Sequence, residues 1–261
     1  MNLGAVPWTN VRDALASGRP VVAILPCGAV EAHGPHLPLE TDVIISDGMA
    51  RRAAAKLAAQ DIPAFVLPPL AYAPAEYAAE FAGTISISAA TAKAVLLDIA
   101  RSLHQQGFAC LAIANSHFDP ANVAMLRAAS AEIAETGLAV AYPDFTRRAL
   151  ARTLTDEFVS GACHAGQFET SLVMRDQPRL VDEGVRPALD VNSSSLIDAF
   201  ARGARTFSEA GGDEAYFGAP GAATAAEGEQ SFQTMADALV QSVLDALAVA
   251  GAIGEATDAA D

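Results

Sequence analysis

Three short stretches of this 261-residue chain hold four of its five histidines, each beside carboxylates. The first is Glu31-Ala32-His33-Gly34-Pro35-His36, with Asp42 nine residues after His33. The second is Asn115-Ser116-His117-Phe118-Asp119. In extended chain, residues i and i+2 point to the same side. Glu31 with His33, and His117 with Asp119, can therefore each aim two donors into one cleft. An aspartate at position 42, opening the next helix, could bridge two ions. Mixed carboxylate and imidazole donors suit Zn²⁺, Mn²⁺ or Fe²⁺ rather than Ca²⁺. Each residue also has a plainer role open to it. Asp119 is a well-formed N-cap before Pro120, Asp42 could cap its own helix, and Glu31 could be a solvated loop carboxylate. His36 fits a supporting or surface position better than a ligand's.

The third stretch is Cys163-His164-Ala165-Gly166-Gln167-Phe168-Glu169. His164, just before a small-residue turn, could serve as a general acid or base, or be a hydrogen-bonded structural histidine. Glu169, buried near His164, could orient the imidazole or a metal ligand; exposed, it would be an ordinary helix carboxylate. Nothing in the sequence activates the Cys163 thiol, so Cys163 is expected in the wall of the pocket.

The elements that must position these residues are legible in the hydrophobic pattern. VVAILPCG (21–28), AFVLPPL (64–70), FACLAIAN (108–115) and LAVAYPD (138–144) are short apolar runs of the kind buried on both faces of a parallel sheet. Helical patterns cover 42–59, 89–106 (closed by Gly107) and 120–135, with Asp119 as N-cap. A turn at 163–166 leads into another helix. Residues 185–222 are mostly loop with a short helix near 195–204. A last helix is expected over 225–249, followed by a frayed tail at 250–261. Strands alternating with helices at this spacing mean βαβ units: an α/β fold with a mostly parallel sheet covered on both sides, in a single domain. Two of the histidine stretches directly follow strands, where open α/β sheets place their ligands.

Composition narrows the function classes. Sixteen Lys+Arg against 31 Asp+Glu give a formal net charge of -15. That argues against nucleic acid and against anionic membrane surfaces as partners. No run of about 18 uninterrupted apolar residues suggests a transmembrane span, and the N-terminus has no basic start or apolar signal core, so a cytoplasmic protein is expected. Three widely spaced cysteines make no disulfide framework. Hydrophobic residues reach 52%, but aromatics only 6%.

Five segments, in order, resemble the motifs of the creatininase (creatinine amidohydrolase) family. GAVEAHGPHLPLETD (28–42) resembles its G-S-x-E-x-H-G-x-H-L-P-x-x-T/V-D pattern, FAGTIS (81–86) its F-P-G-T-I-S segment, and Asn115-Ser116-His117 its N-G-H motif. HAGQFETS (164–171) is similar to H-A-G-x-x-E-T-S, and GAPGAATAAEG (218–228) to G-x-P-x-x-A-T-x-x-x-G. The resemblance spans about residues 20–245. It implies a three-layer α/β/α sandwich assembled into a homo-oligomer, a hexamer, with two divalent ions (Zn²⁺, Mn²⁺ or Fe²⁺) per subunit. It further implies that Glu31 and His117 hold one ion, His33 the other, and Asp42 bridges them. Asp119 stands where creatininase has a further glutamate ligand, and Gln167 where other members have a glutamate instead. His164 would be the proton donor to the leaving nitrogen.

The substrate side departs from the pattern. Creatininase brackets its flat substrate with tryptophans, and this chain has only Trp8. Cys163 replaces an acid and Phe118 a tyrosine, so both are expected to contact substrate; Ala29 replaces a serine. The expected activity is metal-assisted hydrolysis of a C–N amide bond in a small, cyclic molecule other than creatinine. The family's alternatives are ring opening of a cyclic polyol ketone by C–C cleavage, deformylation, and peptide trimming. A different class would be a non-catalytic protein whose metal serves assembly.

Overall fold

The computed structural model describes residues 1–258. Among them, four strands form one parallel sheet, β1 (Val22–Cys27), β2 (Ala64–Val66), β3 (Cys110–Asn115) and β4 (Ala139–Ala141), in the order β2-β1-β3-β4. Every pairing is parallel. β1 alternates between two cores. Val22 and Ile24 face one that includes Met49, Leu57, Phe232 and Leu239; Val21, Ala23 and Leu25 face another that includes Leu96, Leu103, Leu126 and Ile133. On the first face lie α2 (Thr41–Ala58), α7 (Gln167–Asp176) and α9 (Ala225–Asp258); on the second lie α3 (Ala89–Gln106) and α4 (Pro120–Ala134). This is the expected α/β/α sandwich.

The sheet order has a functional consequence. The chain winds from β1 outward to β2, then returns to place β3 on the other side of β1. The switch point therefore falls between β1 and β3, and a crevice opens outside their carboxyl ends. Their register runs from Val22 opposite Cys110 to Cys27 opposite Asn115. The two strands end flush, so the segments carrying Glu31 and His33, and His117, emerge side by side.

Several boundaries differ from the sequence expectation. β2 and β4 are three residues long rather than seven. Pro68 and Pro69 after β2, and Pro143 after β4, bring no N–H to a ladder. Three helices carry no strong sequence signal: α1 (Trp8–Leu15), α5 (Arg148–Ala151) and α6 (Asp156–Ser160). The short helix near 195–204 is α8 (Leu196–Ala201). The tail expected over 250–261 is a correction. Helix α9 passes Val249 and continues to Asp258, because the two glycines there sit among strong helix formers; residues 259–261 lie outside the described residues. By length and composition the segment Ala225–Gly251 could cross a membrane. Here Phe232, Met235, Ala236, Leu239 and Val243 on it are buried, so its apolar stripe belongs to the core.

Helices α7 and α9 approach closely because α9 carries Gly228 at the contact. A Cβ at that position would sit 1.9 Å from the Ser171 carbonyl oxygen. Gly228→Ala should therefore destabilise the fold by about 2 kcal/mol through overpacking. Gly251→Ala, where nothing lies within 4 Å, should stabilise it by about 0.5 kcal/mol or more. Urea denaturation midpoints of the two variants check both signs.

Candidate metal centre

Asp42 lies in the first turn of α2 and is buried. It reaches the switch point because Gly28 ends β1: a Cβ at Gly28 would sit 2.7 Å from the backbone of Asp42 and Val43. From the β3 side, the Ser116 hydroxyl donates to the Asp42 carbonyl at 2.6 Å. The start of α2 is thus held against both strand ends.

Backbone carbonyls set the orientation of the two nearest imidazoles. His33 Nδ1 donates to the Glu31 carbonyl at 3.0 Å, and His117 Nε2 donates to the Pro74 carbonyl at 2.6 Å. The opposite nitrogens then face carboxylates. His33 Nε2 is 3.5 Å from Asp42 Oδ1 and 3.6 Å from Glu169 Oε2. His117 Nδ1 is 2.9 Å from Asp42 Oδ2 and 3.2 Å from Glu31 Oε2. Lone pairs facing carboxylate oxygens need a cation between them, either a proton or a metal ion. Fixing a ligand imidazole through its other nitrogen is how metal sites choose a tautomer. The donor atoms gather into two triads that share Asp42, Glu31–Asp42–His117 and His33–Asp42–Glu169, each within 4.8 Å; a further triad joins Glu31, His33 and His164. Among the described residues, His33 Nε2 and Asp119 Oδ2 are buried with no hydrogen-bond partner. These donors fit divalent ions.

The electrostatics agree. Burial would lower the His33 imidazolium, but Asp42, Glu169 and Glu31 overrule it and raise it to about 10. His117 is likewise raised well above its ordinary value, against burial, by Glu31 and Asp42. Burial would raise Glu31 and Asp42, but the neighbouring imidazolium groups hold both below the usual carboxylate range. Burial pushes Glu169 up to about 8 and also raises Asp119. The cleft thus holds more carboxylate than its imidazoles neutralise.

The remaining sequence candidates divide. Asp119 caps α4, its Oδ1 accepting from the Ala121 N–H at 2.7 Å. Its Oδ2 stays free at the cleft, but Asp119 belongs to neither Asp42 triad. Glu169, anticipated behind the ligands, lies beside His33 and Asp42 in one of these triads. His36 is outside the triads, buried, with Nε2 2.9 Å from the Thr170 hydroxyl. His164 donates from Nε2 to the Ala32 carbonyl at 2.9 Å, leaving Nδ1 4.0 Å from Glu169 Oε2. Burial, then the charge of His33, lowers it to about 4. Phe118 and Cys163 line the cleft. Burial, with Glu169 and Glu157 nearby, raises the Cys163 thiol well above its usual range, which disfavours the thiolate that a nucleophile needs.

Two features escape the sequence reading. An aromatic wall borders the cleft: Tyr77 and Phe200 pack at a tilt with ring centroids 4.2 Å apart, and Phe207 and His164 likewise at 4.4 Å. These residues lie in or near loops without periodicity. Glu157 is the other. Its Oε1 accepts from the Phe168 N–H at 2.8 Å and its Oε2 from the Ala219 N–H at 2.7 Å. It replaces the side-chain cap that Gly166 cannot give α7, and it ties the Glu169 helix to the 217–219 loop. That loop's Phe217 N–H donates to the His164 carbonyl at 2.7 Å. Ala165, between His164 and Gly166, has φ of 52°, a left-handed strain of the kind found at sites where the surroundings enforce it.

An α/β/α sandwich with a shared-carboxylate donor cluster at its switch point defines a class, a domain with a candidate divalent-metal centre. Residues 5–243 match the family model described as creatininase, creatinine amidohydrolase. The chain belongs to the creatininase family. It is 30% identical over 244 residues to a mycofactocin precursor peptide peptidase of Mycobacterium ulcerans (strain Agy99), covering 90% of this chain and 89% of that protein. It is 30% identical over 199 residues to a creatinine amidohydrolase of Pseudomonas putida, covering 69% and 73%. A crystal structure of creatinine amidohydrolase (creatininase) superposes with a TM-score of 0.67 at 26% identity, over 97% of this chain and 96% of the other. Both named relatives are hydrolases.

The cluster also fixes a pH response. His33 is raised above its ordinary 6.5, so its contribution to stability is fully present below that pH and lost as pH rises through about 10. Asp42 is depressed below its ordinary 3.8, so its contribution is present above that pH and lost as pH falls through the folded value. Between these limits protons hold the metal-free cluster together. A divalent ion must displace them. Metal uptake at pH 7 should therefore release at least about one proton per ion, and affinity should rise with pH. Calorimetric titration in buffers of different ionisation enthalpy measures this; buffer-independent heats would contradict it.

Proposed function

We propose that this chain is a divalent-metal-dependent hydrolase of a C–N amide bond. Glu31, Asp42 and His117 would hold one ion, and His33, Asp42 and Glu169 the other, with Asp119 Oδ2 available to the first. The observation that carries the reading is the pair of imidazole lone pairs turned by backbone carbonyls onto one buried carboxylate. When bound, such ions supply Lewis acidity and lower the pKa of water toward neutrality. His164 is held neutral at pH 7, with Nε2–H committed to Ala32 and Nδ1 free. Its Nδ1 can take a proton at the cleft and return it to the leaving nitrogen. Tyr77, Phe200 and Phe207 exclude bulk water from that exchange.

The motif pattern favours a small cyclic amide as substrate. A second reading, a peptide amide, is supported by the peptidase of Mycobacterium ulcerans, similar over nine-tenths of this chain. The family resemblance extends the proposal to a homo-oligomer, a hexamer, using Zn²⁺, Mn²⁺ or Fe²⁺.

His33→Ala and Asp42→Ala should each lower hydrolysis by more than about 100-fold, beyond the usual loss from removing a supporting partner. Elemental analysis should show reduced metal in protein that keeps its circular dichroism. Full activity after verified metal removal would refute the proposal. Asp119→Asn separates two roles, because asparagine caps a helix as well as aspartate does. If Asp119 Oδ2 serves an ion, the variant should keep its melting temperature yet bind less metal.

A further inference from the structure

The cleft at the cluster encloses about 60 Å³. An apolar cavity of about 150 Å³ takes one benzene ring. The cleft therefore holds the reacting bond and little more, and the bulk of any substrate must lie outside it. A groove of about 450 Å³ adjoins it, and Phe118, Cys163, Leu196 and Phe200 line both. The groove's further walls include Phe145, Phe158, Val159 and Ile197. Its one cation, Arg127, is committed: Nε donates to Asp144 at 2.7 Å and Nη2 to the Thr146 hydroxyl at 2.8 Å. The groove thus offers no unpaired charge to a ligand, and a charged group entering it would lose water without gaining a partner. At its edge Val159 is 44% and Ile197 60% exposed, two large aliphatic side chains that a bound ligand would cover.

We propose that this groove is the specificity subsite of the hydrolase, taking a bulky apolar side chain, aromatic or branched aliphatic, of a peptide substrate beside the amide that is cut. The inference rests on the amide-hydrolase reading in its peptide form. The groove has about three times the volume that takes a benzene ring, enough for an aromatic side chain with adjoining backbone. Phe118 connects the two spaces: it lines the metal cleft and meets Phe158 of the groove edge-on at 5.3 Å.

The test uses the full chain reconstituted with Zn²⁺, Mn²⁺ or Fe²⁺. Its substrates are N-acetylated hexapeptide amides with Phe, Leu, Ala, Lys or Glu at one position in an Ala/Ser background. Unsubstituted five- and six-membered lactams run beside them. Mass spectrometry locates each cut. The Phe and Leu peptides should be cleaved next to that residue, with kcat/KM at least about 10-fold above the Ala, Lys and Glu peptides. The double variant V159E/I197E, at two exposed positions, should bring the Phe-to-Ala ratio close to one at unchanged metal content, and I197L should keep the preference. Peptide cleavage without apolar preference, or a ratio unmoved in V159E/I197E, overturns the subsite and leaves the amide-hydrolase reading standing. No peptide cleavage by metal-loaded protein overturns the subsite and the peptide form together. Lactam opening then reports whether amide hydrolysis itself survives.

Discussion

Asp42 is a carboxylate buried where two imidazole lone pairs and two further carboxylates, Glu31 and Glu169, converge on it. Placing so many ionisable groups out of water is costly unless each is paired. Protons on His33 and His117 meet part of that cost, while burial still raises Glu169 and Asp119 above the usual carboxylate range. Cations among these donors would satisfy the cluster electrostatically. The rest of the architecture serves this arrangement. β1 and β3 end in register, Gly28 lets α2 start against them, and Ser116 holds the first turn in place.

The strand-end motifs were legible because two rules act locally: apolar runs mark buried strands, and i,i+2 spacing puts donors on one side. Those rules paired Glu31 with His33 and His117 with Asp119; it was the creatininase resemblance that joined Glu31, His33, Asp42 and His117 into one set, and the structure gathers those four. The rules could not separate the two functions of Asp119, since a cap and a ligand ask for the same residue; the structure shows one oxygen capping and the other free. Glu169 looked secondary because nothing in the sequence reveals how far a helix penetrates a cleft. Tyr77, Phe200 and Phe207 were invisible for another reason: they come from separate loop-rich segments that only the tertiary fold unites. The sequence lacks the tryptophan brackets of creatininase. The aromatics are few but concentrated, while Trp8, the single tryptophan, is 72% exposed.

The acidic composition divides in the same way. Some carboxylates are in the centre, and others form structural pairs, such as Asp176 and Glu229 around Arg52, which is itself stacked 4.0 Å over Phe232. Glu157 belongs to neither group. Its two oxygens accept backbone N–H groups from separate segments, a use of a half-buried carboxylate that needs no cation because the donors are fixed dipoles. An acidic chain thus offers carboxylates as candidate ion ligands, as salt-bridge partners and as backbone clamps, and only the surroundings distinguish them.

The division of labour between strands and loops explains how one metal chemistry can accompany different substrates. The imidazole tautomers are set by carbonyls of Glu31 and Pro74, main-chain atoms that side-chain substitution does not remove. The walls that a substrate meets are side chains of Tyr77, Phe118, Cys163, Leu196, Phe200 and Phe207, mostly on loops and short helices. Loops tolerate change that a packed sheet does not. Replacing these side chains alters what can approach the cleft while leaving the ligand geometry intact. A chain without the tryptophan brackets of creatininase can therefore keep Glu31, His33, Asp42 and His117 in place and still present a different surface to its substrate.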